Sequence, residues 1–284
     1  MKVLVIGASG MLGNAVMRVL SEKTDWEVFG TVRDGSVKRF FPAFLGQRLI
    51  AGVDVERLDD LVRVLDQARP EVVINCAGLT KHKHKIEDPL VFIPINTMMP
   101  HRLAGLCKLV GARLVHIGTD CVFSGDRGGY VESDFTDARD MYGKSKALGE
   151  VDCPNAITLR TSIIGHELQG KHSLLDWFLS QEGQCKGYTR AIFSGLPTVV
   201  LAQVVRDVVI PHRELSGLYH LAAKPIAKFD LLKLVAHEYG KSIEIVPDGG
   251  LIIDRSLDAT RFQSATGYVA PDWPDLIKLM HAYK

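Results

Sequence analysis

The chain has 284 residues, 46% of them hydrophobic, and a formal net charge of +1. That length and apolar content suffice to bury a sizeable core, and the near-neutral balance argues against a general nucleic-acid binder or an anionic-membrane binder. Five scattered cysteines without a C-x-x-C pair form neither a disulfide framework nor a zinc site, no apolar run has the length of a membrane helix, and the first strand starts at residue 2, so we expect a reducing cytoplasmic setting, no signal peptide, no metal and small-molecule partners.

In chain order, residues 1–6 (MKVLVI) predict a buried strand that runs straight into Gly7, Ala8, Ser9, Gly10, Met11, Leu12 and Gly13, and then into an apolar helical periodicity to Leu20. Strands follow at 26–32 and 48–53, an amphipathic helix at 56–68, a strand at 71–75, a helix around 96–110 and a strand at 112–117. A further helix is expected at 140–151 and a strand at 156–160, after which the regular alternation breaks. Helices near 173–181, 199–212, 228–239 and 273–283 come next, with a strand at 217–222 that returns to the main sheet. Such alternation predicts an α/β fold, a Rossmann-type doubly wound parallel sheet with right-handed crossovers, capped by a smaller, discontinuous α/β region. The expected division is 1–164 for dinucleotide binding, with about 196–225 returning to it, and 165–284 mainly for substrate. No proline- or serine-rich linker separates the two.

The spacing G-x-x-G-x-x-G at Gly7, Gly10 and Gly13, between a strand and a helix, is the entrance to a dinucleotide site. Gly7 permits the turn, Gly10 lets the backbone approach a pyrophosphate, Gly13 lets the helix pack on the strand, and the helix N-terminus offers free N–H groups to the anion. Tyr142 and Lys146 stand four apart on a predicted helix and share a face, a spacing that a surface pair would also give. An ammonium beside the phenol would lower its pKa and make Tyr142 a usable proton donor. Thr119 follows a strand at its carboxyl edge, where ligands bind in open α/β sheets.

Together these residues resemble the extended short-chain dehydrogenase/reductase family over essentially the whole chain. More narrowly, the chain resembles the nucleotide-sugar reductases related to dTDP-4-dehydrorhamnose reductase, through Asn75-Cys76-Ala77-Gly78, Thr119-Asp120-Cys121-Val122-Phe123-Ser124-Gly125, 159–165 (LRTSIIG) and Arg255-Ser256-Leu257-Asp258. The resemblance implies a catalytic set of Thr119, Tyr142 and Lys146, with Asn96 as a helix asparagine that helps relay protons. It implies cofactor contacts from the turn residues Ser9, Met11 and Leu12, from Asp54 and Val55 on the adenine side, and from Cys76, Ala77 and Gly78, although Asp54 also suits a helix cap. Substrate contacts are expected from Thr119, Cys121, Val122, Phe123, Trp177 and Arg255, with a buried aromatic and a structural salt bridge as the plainer roles of the last two. Reduction of a 4-keto-6-deoxysugar linked to a nucleotide, for surface-polysaccharide precursors, by a homodimer is what the family does. A nucleotide-sugar epimerase, or a non-catalytic NADP-binding regulatory subunit like that of methionine adenosyltransferase, stays open as an alternative.

Two departures stand out. Cys121 replaces the tyrosine usual in these reductases, and the proline usual upstream of the catalytic tyrosine is missing from 137–141 (DARDM). Dehydratases of the family carry Asp-Glu where this chain has Asp120-Cys121, and a thiol is a different acid from a carboxyl group, so reduction is favoured over dehydration. The second strand ends without an Asp or Glu to hold both ribose hydroxyls, whereas Arg33 suits a 2′-phosphate, so NADP(H) is expected in preference to NAD(H). The basic run Lys81-His82-Lys83-His84-Lys85 is read as a solvated loop or as an attractor of a diphosphate at the cleft mouth.

Overall fold

A computed structural model describes residues 1–80 and 88–283, so the basic run at 81–85 lies outside the described residues. Six strands form in the predicted order: β1 (Lys2–Ile6), β2 (Glu27–Thr31), β3 (Leu49–Ile50), β4 (Val72–Asn75), β5 (Arg113–Ile117) and β6 (Ala156–Arg160). A seventh, Gly217–His220, pairs with β6, and the sheet runs seventh strand, β6, β5, β4, β1, β2, β3 with every pairing parallel.

Side-chain alternation along β1 explains the two-sided core. Val3 and Val5 join one apolar cluster with the helices Met11–Leu20, Thr198–Val204 and Trp273–Ala282, whereas Leu4 and Ile6 join a second with Leu58–Ala68 and Met99–Val110. With a side-chain period of two and helices on both faces, each strand must be apolar throughout, which is why residues 3–6 read as a continuous hydrophobic run.

The strand order reverses between β1 and its neighbours β2 and β4, and the chain leaves β1 through Gly7 at φ +82°. A side chain at Gly7 would meet the backbone of Ala77 at 2.9 Å, and a Cβ at Gly13 would stand 2.1 Å from the Gly7 carbonyl oxygen. These two glycines close the turn, the helix start and the exit from β4 onto one another. A crevice therefore opens at the carboxyl ends of β1 and β4, the topological switch point of such sheets.

Several expected boundaries shift for identifiable reasons. The helix expected from about 96 begins at Pro89, where Asp88 accepts the Leu90 N–H at 2.9 Å and proline occupies the first turn, and it continues as a π-helical segment Ile93–Met98 into Met99–Val110. The helix Met141–Leu148 stops short of 151, capped by Gly149, where a side chain would sit 1.8 Å from the Asn96 carbonyl oxygen. The third strand is only Leu49–Ile50, and the helix expected over 199–212 turns π-helical at Val205–Val209. In the capping region Gln184–Tyr188 pairs in parallel with Glu244–Asp248, and Ala191–Phe193 lies between Ile226–Ala227 and Ile253–Asp254. These strands and the helix Thr260–Thr266 carry no clear periodicity and were not expected.

Candidate active site

The crevice is a cleft of about 340 Å³. Of the residues expected to act, it is lined by Gly10, Met11, Leu12, Cys76, Ala77, Gly78, Thr119, Cys121, Tyr142 and Lys146. Four sequence segments thus meet in one place: the glycine turn, the exit of β4, the exit of β5 and the helix Met141–Leu148.

Gly10 caps the helix Met11–Leu20 without a side-chain hydrogen bond, and a Cβ there would touch only the Gly7 carbonyl oxygen at 3.4 Å. The first amides of that helix therefore face the cleft along an unobstructed backbone, which fits a pyrophosphate. Ser9 is exposed at the tip of the turn, while Gly7 and Gly13 form its packed underside.

Asp140 caps the helix that carries Tyr142 and Lys146, accepting the Gly143 N–H at 2.7 Å. Lys146 is buried, 6% exposed, and its Nζ donates to the Ile117 carbonyl oxygen at 2.9 Å. Burial lowers its pKa from 10.5 to about 8, against the opposing pull of Glu150 and Cys76. Tyr142 departs from expectation. Its phenol is held above its ordinary value, chiefly by burial and then by neighbouring Cys121, while a hydrogen bond with the Thr119 hydroxyl opposes the rise. A phenol in this state stays protonated at neutral pH, so its hydroxyl hydrogen remains available to donate.

Thr119 ends the β5 exit with its Oγ1 accepting the Cys121 N–H at 3.1 Å and donating to Asp120 Oδ1 at 3.2 Å. Arg255 stands behind this turn: its Nε donates to the Phe123 carbonyl oxygen at 2.7 Å and its Nη1 lies 3.5 Å from Cys121 Sγ. Burial pushes the Cys76 thiol up to about 12, so Cys76 is a neutral wall of the cleft.

The remaining expected residues are placed elsewhere. Asn96 lies in the π-helical segment, its Oδ1 accepting the Leu79 N–H at 2.9 Å and its Nδ2 donating to the Leu79 carbonyl at 3.2 Å and to Ser145 Oγ at 3.1 Å. Both amide hydrogens are thereby spent on holding the β4 exit against the Tyr142 helix. Val122 and Phe123 are fully buried in a separate cluster, where Phe123 stacks on Tyr130 at 4.1 Å, so neither side chain reaches the cleft. Trp177, on the helix Leu174–Ser180, does not line the cleft. Arg33 is exposed just beyond β2, and the Asp54 carboxylate accepts the Glu56 N–H at 3.1 Å, as a turn cap does. Asp120, Thr80, Ser162, Glu167 and His172 also line the cleft and were not expected. The T-D pair after β5 was the available signal for Asp120 and the 159–165 (LRTSIIG) segment for Ser162, whereas no motif marks Thr80, Glu167 or His172.

Residues 1–248 match the RmlD substrate binding domain. The chain belongs to that family. Within it, the chain is 25% identical over 309 residues, covering 99% of both sequences, to a dTDP-4-dehydrorhamnose reductase of Aggregatibacter actinomycetemcomitans. It is also 28% identical to the methionine adenosyltransferase 2 subunit beta of Danio rerio, over 87% of this chain and 76% of that one. Among solved structures, the dTDP-4-dehydrorhamnose reductase of Bacillus anthracis in complex with NADP superposes with a TM-score of 0.80 at 20% identity, covering 100% of both chains. The fold is thus the Rossmann-like one of these reductases, as the alternation of strands and helices implied. Among the described residues, no helix is long and apolar enough to cross a membrane.

Proposed function

We propose that this chain reduces a keto group on a nucleotide-linked 4-keto-6-deoxysugar, with NADPH favoured over NADH. The observation that supports the reading best is the convergence of Thr119, Tyr142 and Lys146 on the cleft that opens from the Gly10 helix start. Residues 1–164, with about 196–225, would hold the dinucleotide, and the later chain would cover the sugar nucleotide. When bound, the nicotinamide supplies a hydride.

The chain's own residues do the rest. The amides after Gly10 take the pyrophosphate, Arg33 pairs with the 2′-phosphate, and Lys146 holds the nicotinamide ribose. Thr119 orients the carbonyl, and Tyr142, protonated at neutral pH, gives its proton to the carbonyl oxygen. The test is Tyr142→Phe, assayed by loss of NADPH absorbance over a panel of dTDP- and UDP-linked 4-keto sugars. Turnover should fall at least about 10²-fold, the lower bound for a lost general acid, while NADPH affinity changes little. Near wild-type turnover would refute the assignment, and a folded wild type that binds NADPH yet is inert on the panel would favour a regulatory subunit.

A further inference from the structure

Behind the cleft, an ion pair is sealed into the protein. Arg160 ends β6 and is 3% exposed. Its Nε and Nη2 donate to the two carboxylate oxygens of Glu150 at 2.6 and 2.7 Å, a bidentate fork, and its Nη1 lies 3.2 Å from His220 Nε2. The Tyr130 carbonyl oxygen, 3.0 Å from His220 Nδ1, can only accept, so Nδ1 carries the ring hydrogen and Nε2 accepts from Arg160. Burial and then the Arg160 charge lower the His220 pKa from 6.5 to about 4, which keeps the ring in that neutral form. A buried ion pair stabilises a fold little better than apolar residues of the same size, so what this one adds is geometry.

The fork reaches two elements that carry active-site groups. Glu150 directly follows the Gly149 cap of the helix Met141–Leu148, which holds Tyr142 and Lys146. On the other side, the Arg160 guanidinium carbon lies 5.1 Å from the centre of the Phe123 ring. Phe123 closes the turn after Thr119: its N–H donates to the Asp120 carbonyl oxygen at 3.0 Å, and the Asp120 N–H donates to the carbonyl oxygen of Thr161, the residue after Arg160, at 3.2 Å. None of Glu150, Arg160 and His220 is among the residues that line the cleft.

We propose that Arg160, clamped between Glu150 and His220, is a positioning residue that fixes the Tyr142 helix against the Thr119 turn, so that both hydroxyls meet one carbonyl oxygen during reduction. This rests on the roles proposed above for Thr119 and Tyr142. A planar guanidinium can fork onto the carboxylate, donate to His220 and lay a flat face on Phe123 at once, whereas a lysine offers a single point of contact. Register matters because a 1 Å misplacement of reacting groups costs about 10²-fold in rate.

Two variants separate positioning from folding. Arg160→Lys keeps a cation against Glu150 without the fork or the flat face, and E150L/R160M removes both charges, leaving no buried charge unpaired. Single-turnover mixing of the NADPH-loaded protein with a dTDP- or UDP-linked 4-keto sugar gives an amplitude that counts competent molecules and a rate constant that does not depend on their number. Both variants should keep the amplitude and lose at least about tenfold in rate constant, with NADPH affinity changed less than about twofold. Amide hydrogen exchange should rise in residues 119–123 and 141–148 and stay unchanged in β1. An amplitude that falls at constant rate, or an R160K rate constant equal to that of the wild type, would overturn the proposal; should E150L/R160M not fold, R160K decides alone. A wild type inert on every keto sugar, with exchange raised in both segments of R160K, overturns the proposed function alone; inert with unchanged exchange, it overturns both.

Discussion

Replacing Lys146 with methionine should stabilise the folded protein at neutral pH while removing its activity. The ammonium is 6% exposed, and its pKa falls from 10.5 to about 8 on folding. At about 1.4 kcal/mol per tenfold change, this difference corresponds to roughly 3 kcal/mol by which burial disfavours the charged form. Methionine fills similar volume without charge, but it strands the Ile117 carbonyl oxygen that Lys146 Nζ reaches at 2.9 Å. An acceptor left without its partner costs about 1–3 kcal/mol, which leaves a net gain of at most about 2 kcal/mol. Because the folded-state value is the lower one, the penalty is carried in full below pH 8, fades between pH 8 and 10.5, and vanishes above, where the lysine is neutral folded or unfolded. Urea unfolding of both proteins across this range is the assay: the methionine variant should lead at pH 7 and its lead should shrink toward pH 10. A variant less stable at pH 7, or a lead that does not change with pH, would refute the reasoning. A stability cost at Lys146 is what the role proposed for it above would entail.

The two inner glycines of the turn should fail differently. Gly13→Ala places a methyl 2.1 Å from the Gly7 carbonyl oxygen and should cost about 3 kcal/mol in urea unfolding, whereas Gly10→Ala, with its contact at 3.4 Å, should keep the fold within about 1 kcal/mol yet weaken NADPH at least about tenfold by filling the pyrophosphate's approach. Equal stability losses in the two variants would sink that distinction. Arg33→Ala should raise the dissociation constant of NADPH more than that of NADH, as read by fluorescence titration, since a guanidinium pairs with the 2′-phosphate; equal effects would remove Arg33 from the cofactor site.

The legible parts of this protein were those whose physics is local. Continuous apolar runs predicted the parallel strands because both sheet faces are covered, and the glycine spacing predicted the turn because Gly10 and Gly13 both answer to the Gly7 carbonyl oxygen a few residues away. The Tyr142 and Lys146 pair was likewise legible from helical periodicity. Its electrostatics were not, because the rise at Tyr142 comes from burial and from Cys121, a neighbour brought by another segment. Asn96 was visible as a helix polar residue, but its partners Leu79 and Ser145 come from elements 17 and 49 residues away. Val122 and Phe123 sit beside Thr119 in sequence and turn into the core through the short helical turn Asp120–Val122, which no periodicity announces. The strands of the capping region are two to five residues long and partly exposed, so they lack the apolar alternation that marks β1.

The seventh strand has a consequence for the order in which the protein is made. All five residues of β6 are buried, and one edge of that strand is covered only by Gly217–His220, about sixty residues later in the chain. Until a ribosome has released the segment after residue 220, β6 presents an open row of backbone donors and acceptors to any other strand it meets. The nascent chain thus passes through a stage in which its nucleotide half is assembled but unsealed, the stage at which a folding chain is most exposed to pairing with the wrong partner.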